Sequence, residues 1–594
     1  MKNLHFYVKD YPRPQLVRDN FTLLNGEWDF AFDDENNGLK EKWYSDKKSG
    51  WNTITVPFTY ETSLSGIKDE KFHPVVWYGK TVDIKDEDLK KRKVLLHFEG
   101  VDFAAKVYVN GEAVGDHRGG YARFSFDITD KLLVGENRIT VRVEDNYDWS
   151  KPRGKQRWIK DNFGCWYVQT TGIWKSVWME SVGEDYIKAL KITPNRTSGT
   201  VIIEADISCD YFCSDLSLKA DITFDEERTG IASSTVNVAC GKARMEISLS
   251  RPDIFEWAIY EWSPEYPSLY DIEFTLFKNK TEVMDCVGSY FGMREVKIDK
   301  GNIILNGAPI YQRLILDQGY WHDSHLTPPS EEALIKDIDS VMAMGYNGVR
   351  KHQKTEDERF LYWCDVKGLL VWSEMAAGYA LNDEAVNEFT SEWMEIVRQN
   401  YSHPSIITWT PFNETWGLGG IKFNKTPQHF SESIYHLTKV FDPMRPVIVN
   451  DGWEHTVSDI ITLHDYEEKG DVFFKRYFEN FDRIMTGEVY HCGHRSAFAE
   501  GYGYKGQPII ISEFGGIAFN EEGGWGYGNK VKDKDDFIRR FDDITTAIKK
   551  LPYVCGYCYT QVSDVQQEIN GLMDEERNFK IDPEILKEIN ERRV

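Results

Sequence analysis

The sequence predicts a multidomain protein of β plus α/β class, two β-sandwiches followed by a closed (β/α)8 barrel, and three observations predict it. From Phe21 to about Gly183 apolar and polar residues alternate with period two between turn signals, as in L-N-G-E-W-D-F-A-F-D at Leu24–Asp33 and V-L-L-H-F-E-G-V at Val94–Val101. From about Glu184 to Phe291 several shorter alternating runs recur, among them I-I-E-A-D-I at Ile202 and L-Y-D-I-E-F-T-L-F at Leu269. Beyond Gly292 short apolar strands alternate with amphipathic helices, the pattern of parallel β/α units. The expected domains are therefore 1–183, 184–291 and 292–594.

Taken in order, the first sandwich rests on its alternation and on Asn110–Gly111, a dipeptide that favours the positive φ angles of a two-residue hairpin, set between Lys106–Val109 and the next run. Its aromatic residues between Trp158 and Trp178 could stack on sugar rings, although core and domain interface account for most such residues. The second segment, about a hundred residues of short strands, reads as an immunoglobulin-like sandwich with a spacer role. In the third, Leu334, Ile338, Val341 and Met342 predict one helical face closed by Gly345. Eight strands follow from the same reading: Tyr311–Leu316, Tyr346–Arg350, Leu369–Trp372, Ile406–Phe412, Pro446–Val449, Ile460–His464, Pro508–Ser512 and Val554–Thr560. Eight is the number that closes a β/α barrel.

Composition removes several function classes. Lys plus Arg number 71 against 96 Asp plus Glu, and the net charge of −25 repels phosphate backbones and anionic headgroups, so neither nucleic acid nor a membrane surface is an expected partner. No run approaches the roughly 20 apolar residues of a membrane span. The nine cysteines are scattered, an odd number with no two CxxC motifs that could pair, and Cys209 with Cys213 is read as a ligand pair that is weak alone. Reduced thiols, and a cytoplasmic protein without metal or cofactor, are the expectation. The amino terminus has Lys9 and Asp10 where a signal peptide keeps its apolar core.

The chemistry is concentrated where strands stop. I-I-T-W-T-P-F-N-E-T-W-G at Ile406 leaves Asn413 and Glu414 just beyond the fourth strand, and I-I-I-S-E-F-G-G at Ile509 leaves Glu513 at the mouth of the seventh. Two carboxylates on one barrel face are what glycoside hydrolysis needs, one to protonate a leaving oxygen and one to attack the anomeric carbon. A carboxyl beside another, in a pocket lined by Trp409 and Trp416, is expected to have a raised pKa and so to suit an acid, Glu414. Arg350, His352, His464 and Asp465, and, more peripherally, Asp317, Tyr559 and Gln561, stand at other strand ends and complete the expected pocket.

Six motifs in order give the chain a resemblance to glycoside hydrolase family 2, which includes β-galactosidases, β-glucuronidases and β-mannosidases. They are F-E-G-V-D-F-A-A-K-V-Y-V-N-G from Phe98, T-T-G-I-W-K-S-V-W-M-E from Thr170, W-S-P-E-Y-P-S-L-Y from Trp262, F-G-M-R from Phe291, F-N-E-T-W and S-E-F-G-G. The resemblance implies a jelly-roll domain, an immunoglobulin-like domain and a catalytic barrel, with retention of anomeric configuration and, commonly, a homo-oligomer. By position it makes Glu414 the acid/base and Glu513 the nucleophile. It matches Asn413 to the residue that binds the adjacent sugar hydroxyl, and Tyr466 and Arg350 to the groups that keep the nucleophile ionised. The chain departs from its relatives after strand two, where K-H-Q-K at Lys351–Lys354 puts Gln353 in the place of a histidine. It also departs after strand eight, where Glu568-Ile569-Asn570-Gly571 lacks the lysine that meets a uronic carboxylate, and at Gly164–Gly172, which has no aspartate at the place that serves galactosides. The expected function is a retaining exo-glycosidase, β-galactosidase-like, acting on an oligosaccharide or glycoside. An α-L-arabinofuranosidase or β-galactofuranosidase is the alternative, ahead of β-glucuronidase and β-mannosidase. A non-catalytic carbohydrate-binding protein and a scaffold are the rival classes, and both strain against the retained pair of glutamates.

Overall fold

The structure, a computed structural model, describes residues 5–45, 49–90, 92–210, 215–225, 228–250, 259–520 and 523–594. Cys213 lies outside these residues, so the Cys209/Cys213 pair is not described, and the other eight cysteines are free thiols. No helix is long and apolar enough to cross a membrane among the described residues.

The first segment is a two-sheet sandwich. A four-stranded antiparallel sheet (order Phe21–Leu23, Val177–Gly183, Arg92–Phe98, Phe124–Asp127) faces a six-stranded one (Asn52–Val56, Gly26–Phe32, Val75–Ile84, Gly135–Glu144, Ala104–Val109, Glu112–Arg118). Alternate residues of both, including Phe30, Leu96, Phe98, Val107 and Val141, fill the space between them. Asn110 (φ +50°) and Gly111 (φ +81°) turn the expected hairpin. In the second segment a three-stranded sheet (Tyr186–Asn195, Thr200–Ser208, Lys242–Ser248) packs on a four-stranded one (Thr229–Asn237, Leu216–Phe224, Tyr270–Lys278, Glu282–Phe291). That seven-stranded division is the immunoglobulin-like arrangement.

The third segment is the barrel. Its strands are β1 Gln312–Asp317, β2 Gly348–Lys351, β3 Leu370–Glu374, β4 Ile406–Thr410, β5 Asn450–Asp451, β6 Ile461–His464, β7 Ile509–Gly515 and β8 Val554–Thr560. Seven of them form one parallel sheet in the order β4-β3-β2-β1-β8-β7-β6. The expected strand Pro446–Val449 is not regular: it meets β4 through Ile448 N–H to Trp409 O (2.9 Å) and Trp409 N–H to Pro446 O (3.1 Å), and pairing resumes where Asn450–Asp451 lies parallel to Phe412–Asn413. Pro411, two residues beyond Trp409, has no N–H to carry the ladder past Ile448, which accounts for the gap. Helices α1 Glu331–Ala343, α2 Glu358–Lys367, α3 Asp383–Gln399, α4 Lys425–Phe441, α5 Gly470–Met485, α6 Lys534–Lys549 and α7 Pro583–Glu591 surround the strands, with only a loop between β5 and β6.

Helix α1 buries Leu334, Ile338 and Val341 as expected, but Met342 is 36 % exposed, because it stands about 100° round the helix from Val341. The chain leaves α1 through Gly345 at φ +82°, where a Cβ would lie 2.8 Å from the Lys587 backbone. The barrel has two apolar layers. Leu314, Leu316, Trp372, Ile448, Ile510 and Cys558 fill its interior, whereas Ile315, Val349, Ile511, Tyr557 and Tyr559 face the helices.

Candidate active site

The carboxyl ends of β2 to β7 converge on one guanidinium. Arg350, wholly buried, reaches Glu374 at the end of β3 through Nε (2.7 Å), Asp451 of β5 and Glu513 of β7 through Nη1 (2.7 and 2.9 Å), and Asn413 Oδ1 through Nη2 (2.7 Å). One cation thus orders three buried carboxylates that would repel one another without it. Tyr466 donates its hydroxyl to Glu513 Oε2 at 2.5 Å, and its ring stacks on Tyr527 at 3.4 Å. With two donors on its two oxygens, the Glu513 carboxylate is held in one orientation.

Glu414 reaches the same space by a strained turn. It and Thr415 take φ of +50° and +61°, a region that β-branched threonine rarely enters. Glu414 N–H donates to Asp451 O and Thr415 N–H to Asn450 Oδ1, both at 2.9 Å, and these bonds hold the turn. His464 lies between the carboxylates, with Nδ1 2.8 Å from Glu414 and 3.4 Å from Glu513, and Nε2 2.7 Å from Asp451. The ring fits because Gly452 has no side chain: a Cβ there would come within 2.5 Å of it. Oxygens of Glu414 and Glu513 and a nitrogen of His464 all lie within 4.8 Å of one another. That spacing matches a carboxylate pair about 5–5.5 Å apart and leaves no room for a water on the far side of a sugar ring.

Electrostatics alter one expectation. Burial alone would lower the pKa of His464, but the charges of Glu513 and Asp451 and the hydrogen bonds to Asp451 and Glu414 outweigh it and push the imidazole up to about 10. Burial likewise works to raise Glu414, yet the hydrogen bond and charge of His464 hold its pKa below the ordinary value, not above it. The expected raised pKa of Glu414 is therefore corrected: the proton of the free site rests on His464. The residues within 4.8 Å could hold a small cation by spacing alone, but a protonated imidazole has no lone pair to offer one. A stability prediction follows with a definite sign. His464 binds its proton more tightly folded than unfolded, so its contribution is fully present below its unfolded value near 6.5 and is lost as pH rises towards about 10. Thermal unfolding across pH 6.5–10 should show this decline in the wild type and a flatter profile in His464→Asn; equal slopes would contradict the assignment.

The other expected residues divide. Asn413 is buried with its Nδ2 unpartnered, a donor left for a ligand. His352 sits beneath the site, its Nδ1 3.1 Å from Arg350 and 3.0 Å from Glu374, and burial together with the charges of Lys155 and Arg350 keeps it neutral. Trp416 stands at the rim, ring centroids 5.3 Å from Trp166 and 5.5 Å from Tyr379. Gln561 joins a buried chain, accepting from Gln318 and donating to Asn570, both at 2.7 Å. Tyr559 does not face the pocket: strand alternation turns it outward against Phe514 and Phe541, while Thr560 points in, 3.3 Å from the Tyr466 hydroxyl. Asp317 is likewise structural, bound to Lys351 (2.6 Å) and the Gly319 N–H (2.7 Å), and Asp465 is taken by Arg476 and Tyr477. Trp409 also points away, donating to Asp442 at 2.8 Å on the helix side.

Sequence reasoning missed Glu374 and Asp451, although both are acidic residues at apolar strand ends and the rule that found Glu513 applies to them. It also missed a wall contributed by the first sandwich. The segment 153–168 crosses to the barrel, where Trp166 donates to the Tyr379 hydroxyl (2.7 Å), Tyr167 to Glu568, and Asn162 to Gln566 (2.6 Å), while Trp525 donates to Gly164 O (2.9 Å). Within it Lys155 is buried, and its ammonium has one hydrogen-bond partner among the described residues, Cys165 Sγ at 3.2 Å.

Comparisons with known proteins agree with this architecture. Among curated proteins, one of Formosa agariphila named "Putative beta-glucuronidase" is 28% identical over 68% of this chain and 48% of its own length. A β-galactosidase of Thermoanaerobacter pseudethanolicus is 26% identical over 81% of this chain and 60% of its own. The chain thus spans about half to three fifths of these relatives. Among solved structures, a β-glucuronidase of Bifidobacterium dentium complexed with coumarin-3-O-glucuronide superposes with a TM-score of 0.78 at 18% identity, covering 97% of this chain and 98% of that one. The β-glucuronidase of Ruminococcus gnavus gives 0.78 at 16%, covering 97% and 99%; at such identities the likeness speaks for the fold. Family models match residues 21–182 (glycosyl hydrolases family 2, sugar binding domain), 186–294 (glycosyl hydrolases family 2) and 296–592 (glycosyl hydrolases family 2, TIM barrel domain). Matched end to end in this way, the chain belongs to glycosyl hydrolases family 2.

Proposed function

We propose that the protein is a retaining exo-glycosidase acting by double displacement on a neutral terminal sugar, with Glu513 as nucleophile and Glu414 as acid/base. The observation that carries the reading is the approach of the two carboxylates to within 4.8 Å, with His464 between them. Glu513, held by Arg350 and Tyr466, attacks the anomeric carbon while the glycosidic bond breaks. The leaving oxygen takes a proton from Glu414, which draws it from His464 Nδ1 across 2.8 Å. A sugar that displaces water from the cleft favours this transfer, since it converts an ion pair into two neutral groups. In the second step Glu414, now ionised, takes a proton from water, and the hydroxide displaces Glu513 from the sugar. The free Asn413 Nδ2 is suited to the hydroxyl beside the anomeric carbon.

The neutral sugar is supported by the wall opposite. Lys155 and Glu568 bear on one space without an ion pair between them among the described residues, and Glu568 also accepts from Tyr167 and Asn570. A hydroxyl can accept from Lys155 and donate to Glu568 together; a uronic carboxylate can only accept and is repelled by Glu568. β-Galactosides are the first substrates to test. Arabinofuranosides and galactofuranosides are second, because Gln353 stands where the family resemblance places a histidine and Gly164–Gly172 has no aspartate at the place that serves galactosides. On a panel of 4-nitrophenyl glycosides we expect turnover of a neutral member at least about 100-fold above 4-nitrophenyl β-D-glucuronide. Lys155→Met should lose about 10- to 100-fold in kcat/KM on that neutral member, the size of one or two charged hydrogen bonds. Refusal of every glycoside would overturn the enzyme reading, and preference for the glucuronide would overturn the neutral sugar alone.

A further inference from the structure

All three segments meet around a crevice of about 470 Å³ whose lining includes none of the catalytic-site residues. It is lined by Arg13 and Gln15 of the amino-terminal strap, Arg123 of the first sandwich, Lys188 of the second, and Glu358 and Arg398 of the barrel. In a chain of net charge −25 this is an unusual concentration of cations. The nearby carboxylates each have a partner, although Glu358 Oε1 is left without a hydrogen bond among the described residues. Glu358 binds Arg123, Glu395 lies 3.1 Å from His117, Glu180 is shared by Arg18 and His97, and Glu99 accepts from the Trp178 indole at 2.8 Å.

Arg13 itself has no carboxylate partner among the described residues: its Nη2 makes one long contact, 3.4 Å to Lys188 O, and its Nε is buried and unpartnered. Gln15, 8 % exposed, has its Nε2 equally unpartnered on the same lining. Burial, and then the charge of Arg123, lower the pKa of Arg13 by more than the charges of Glu180, Glu358 and Glu99 raise it. A buried donor with no acceptor costs about 1–3 kcal/mol, more for a charged group, and two such donors share this wall.

We propose that the three-segment crevice is a binding site for a small oxyanion, a phosphate or a carboxylate, whose oxygens accept from Arg13 Nε and Gln15 Nε2 and whose charge is met by Arg13, Lys188 and Arg398. A guanidinium presents paired donors suited to such a group, and the volume admits an anion larger than inorganic phosphate. Because the site takes residues from every segment, an occupant resists their separation.

Titration calorimetry on the whole chain tests this, with sodium phosphate and sodium citrate as separate probes and sodium chloride at matched ionic strength as the blank. Saturable binding of one probe at roughly millimolar Kd or tighter is expected, weakened at least about tenfold in Arg13→Gln. The tighter probe names the chemistry, phosphate or carboxylate. Glycosidase activity of Arg13→Gln should equal that of the wild type. Should Arg13→Gln not fold, Arg398→Gln serves, with a weakening of about three- to tenfold expected. Heat no greater than the chloride blank from both probes, or binding unchanged in the variants, would overturn the proposal.

Discussion

Glu513→Gln is expected to lose at least about 10⁴-fold in kcat while keeping its unfolding temperature within a degree or two and still binding sugar. Removal of the nucleophile abolishes the covalent step, and an amide preserves the shape of the group, its one oxygen accepting from Arg350 while its NH2 donates to the Tyr466 hydroxyl, which rotates to accept. Glu414→Gln should lose less, about 10²- to 10⁴-fold, because general acid–base catalysis contributes that much and a nitrophenolate departs with little help. The ordering is informative: a scaffold or a non-catalytic lectin would show little change in either variant. Steady-state kinetics on the best substrate of the panel provides the comparison.

Arg350→Met is expected to have the second largest effect, and on stability as much as on rate. The guanidinium is wholly buried and serves Glu374, Asp451 and Glu513 at 2.7, 2.7 and 2.9 Å. Breaking a buried ion pair from one side leaves a charge uncompensated and costs about 3–5 kcal/mol, and here three carboxylates would be left. They would respond by binding protons, so the variant should gain more stability between pH 8 and pH 5 than the wild type does. Asp451 makes the sign clear. Although burial works to raise its pKa, Arg350 and His464 hold it well below the usual carboxylate range, and with Arg350 gone that depression should shrink. Urea titration of the barrel transition at pH 5 and pH 8 reads both effects; stability unchanged at pH 8 would contradict the role given to Arg350.

How much of this was legible in the sequence depends on the distance over which the signal acts. The barrel followed from local alternation, and seven of its eight strands fell within a few residues of their expected places. The fifth did not form a regular strand because Pro411, in the strand beside it, interrupts the ladder, and the apolar pattern of the fifth segment cannot reveal that. The acidic strand ends announced Glu414 and Glu513, since charge at the mouth of a buried strand needs a reason. Tyr559 misled because the sequence sets alternation but not phase: Tyr559 and Thr560 differ only in which face the neighbouring helices claim.

Glu414 as a group of raised pKa was a reading of composition, two carboxylates and two indoles, and could not include His464, which is fifty residues away in sequence and 2.8 Å away in space. The Lys155 wall is a still longer-range product, because a loop of the first sandwich reaches the barrel through Trp166, Tyr167 and Asn162. Nothing local to Lys155 distinguishes it from a solvated lysine.

The stereochemistry of the first-formed product tests the central claim most directly, because it depends on whether a carboxylate or a water occupies the face opposite the leaving group. Proton NMR of the anomeric signals, recorded within the first minutes of hydrolysis and before mutarotation, should show the free sugar in the anomeric configuration of the substrate. Initial appearance of the opposite anomer would mean that water attacks directly, and would contradict Glu513 as the nucleophile however closely it approaches Glu414.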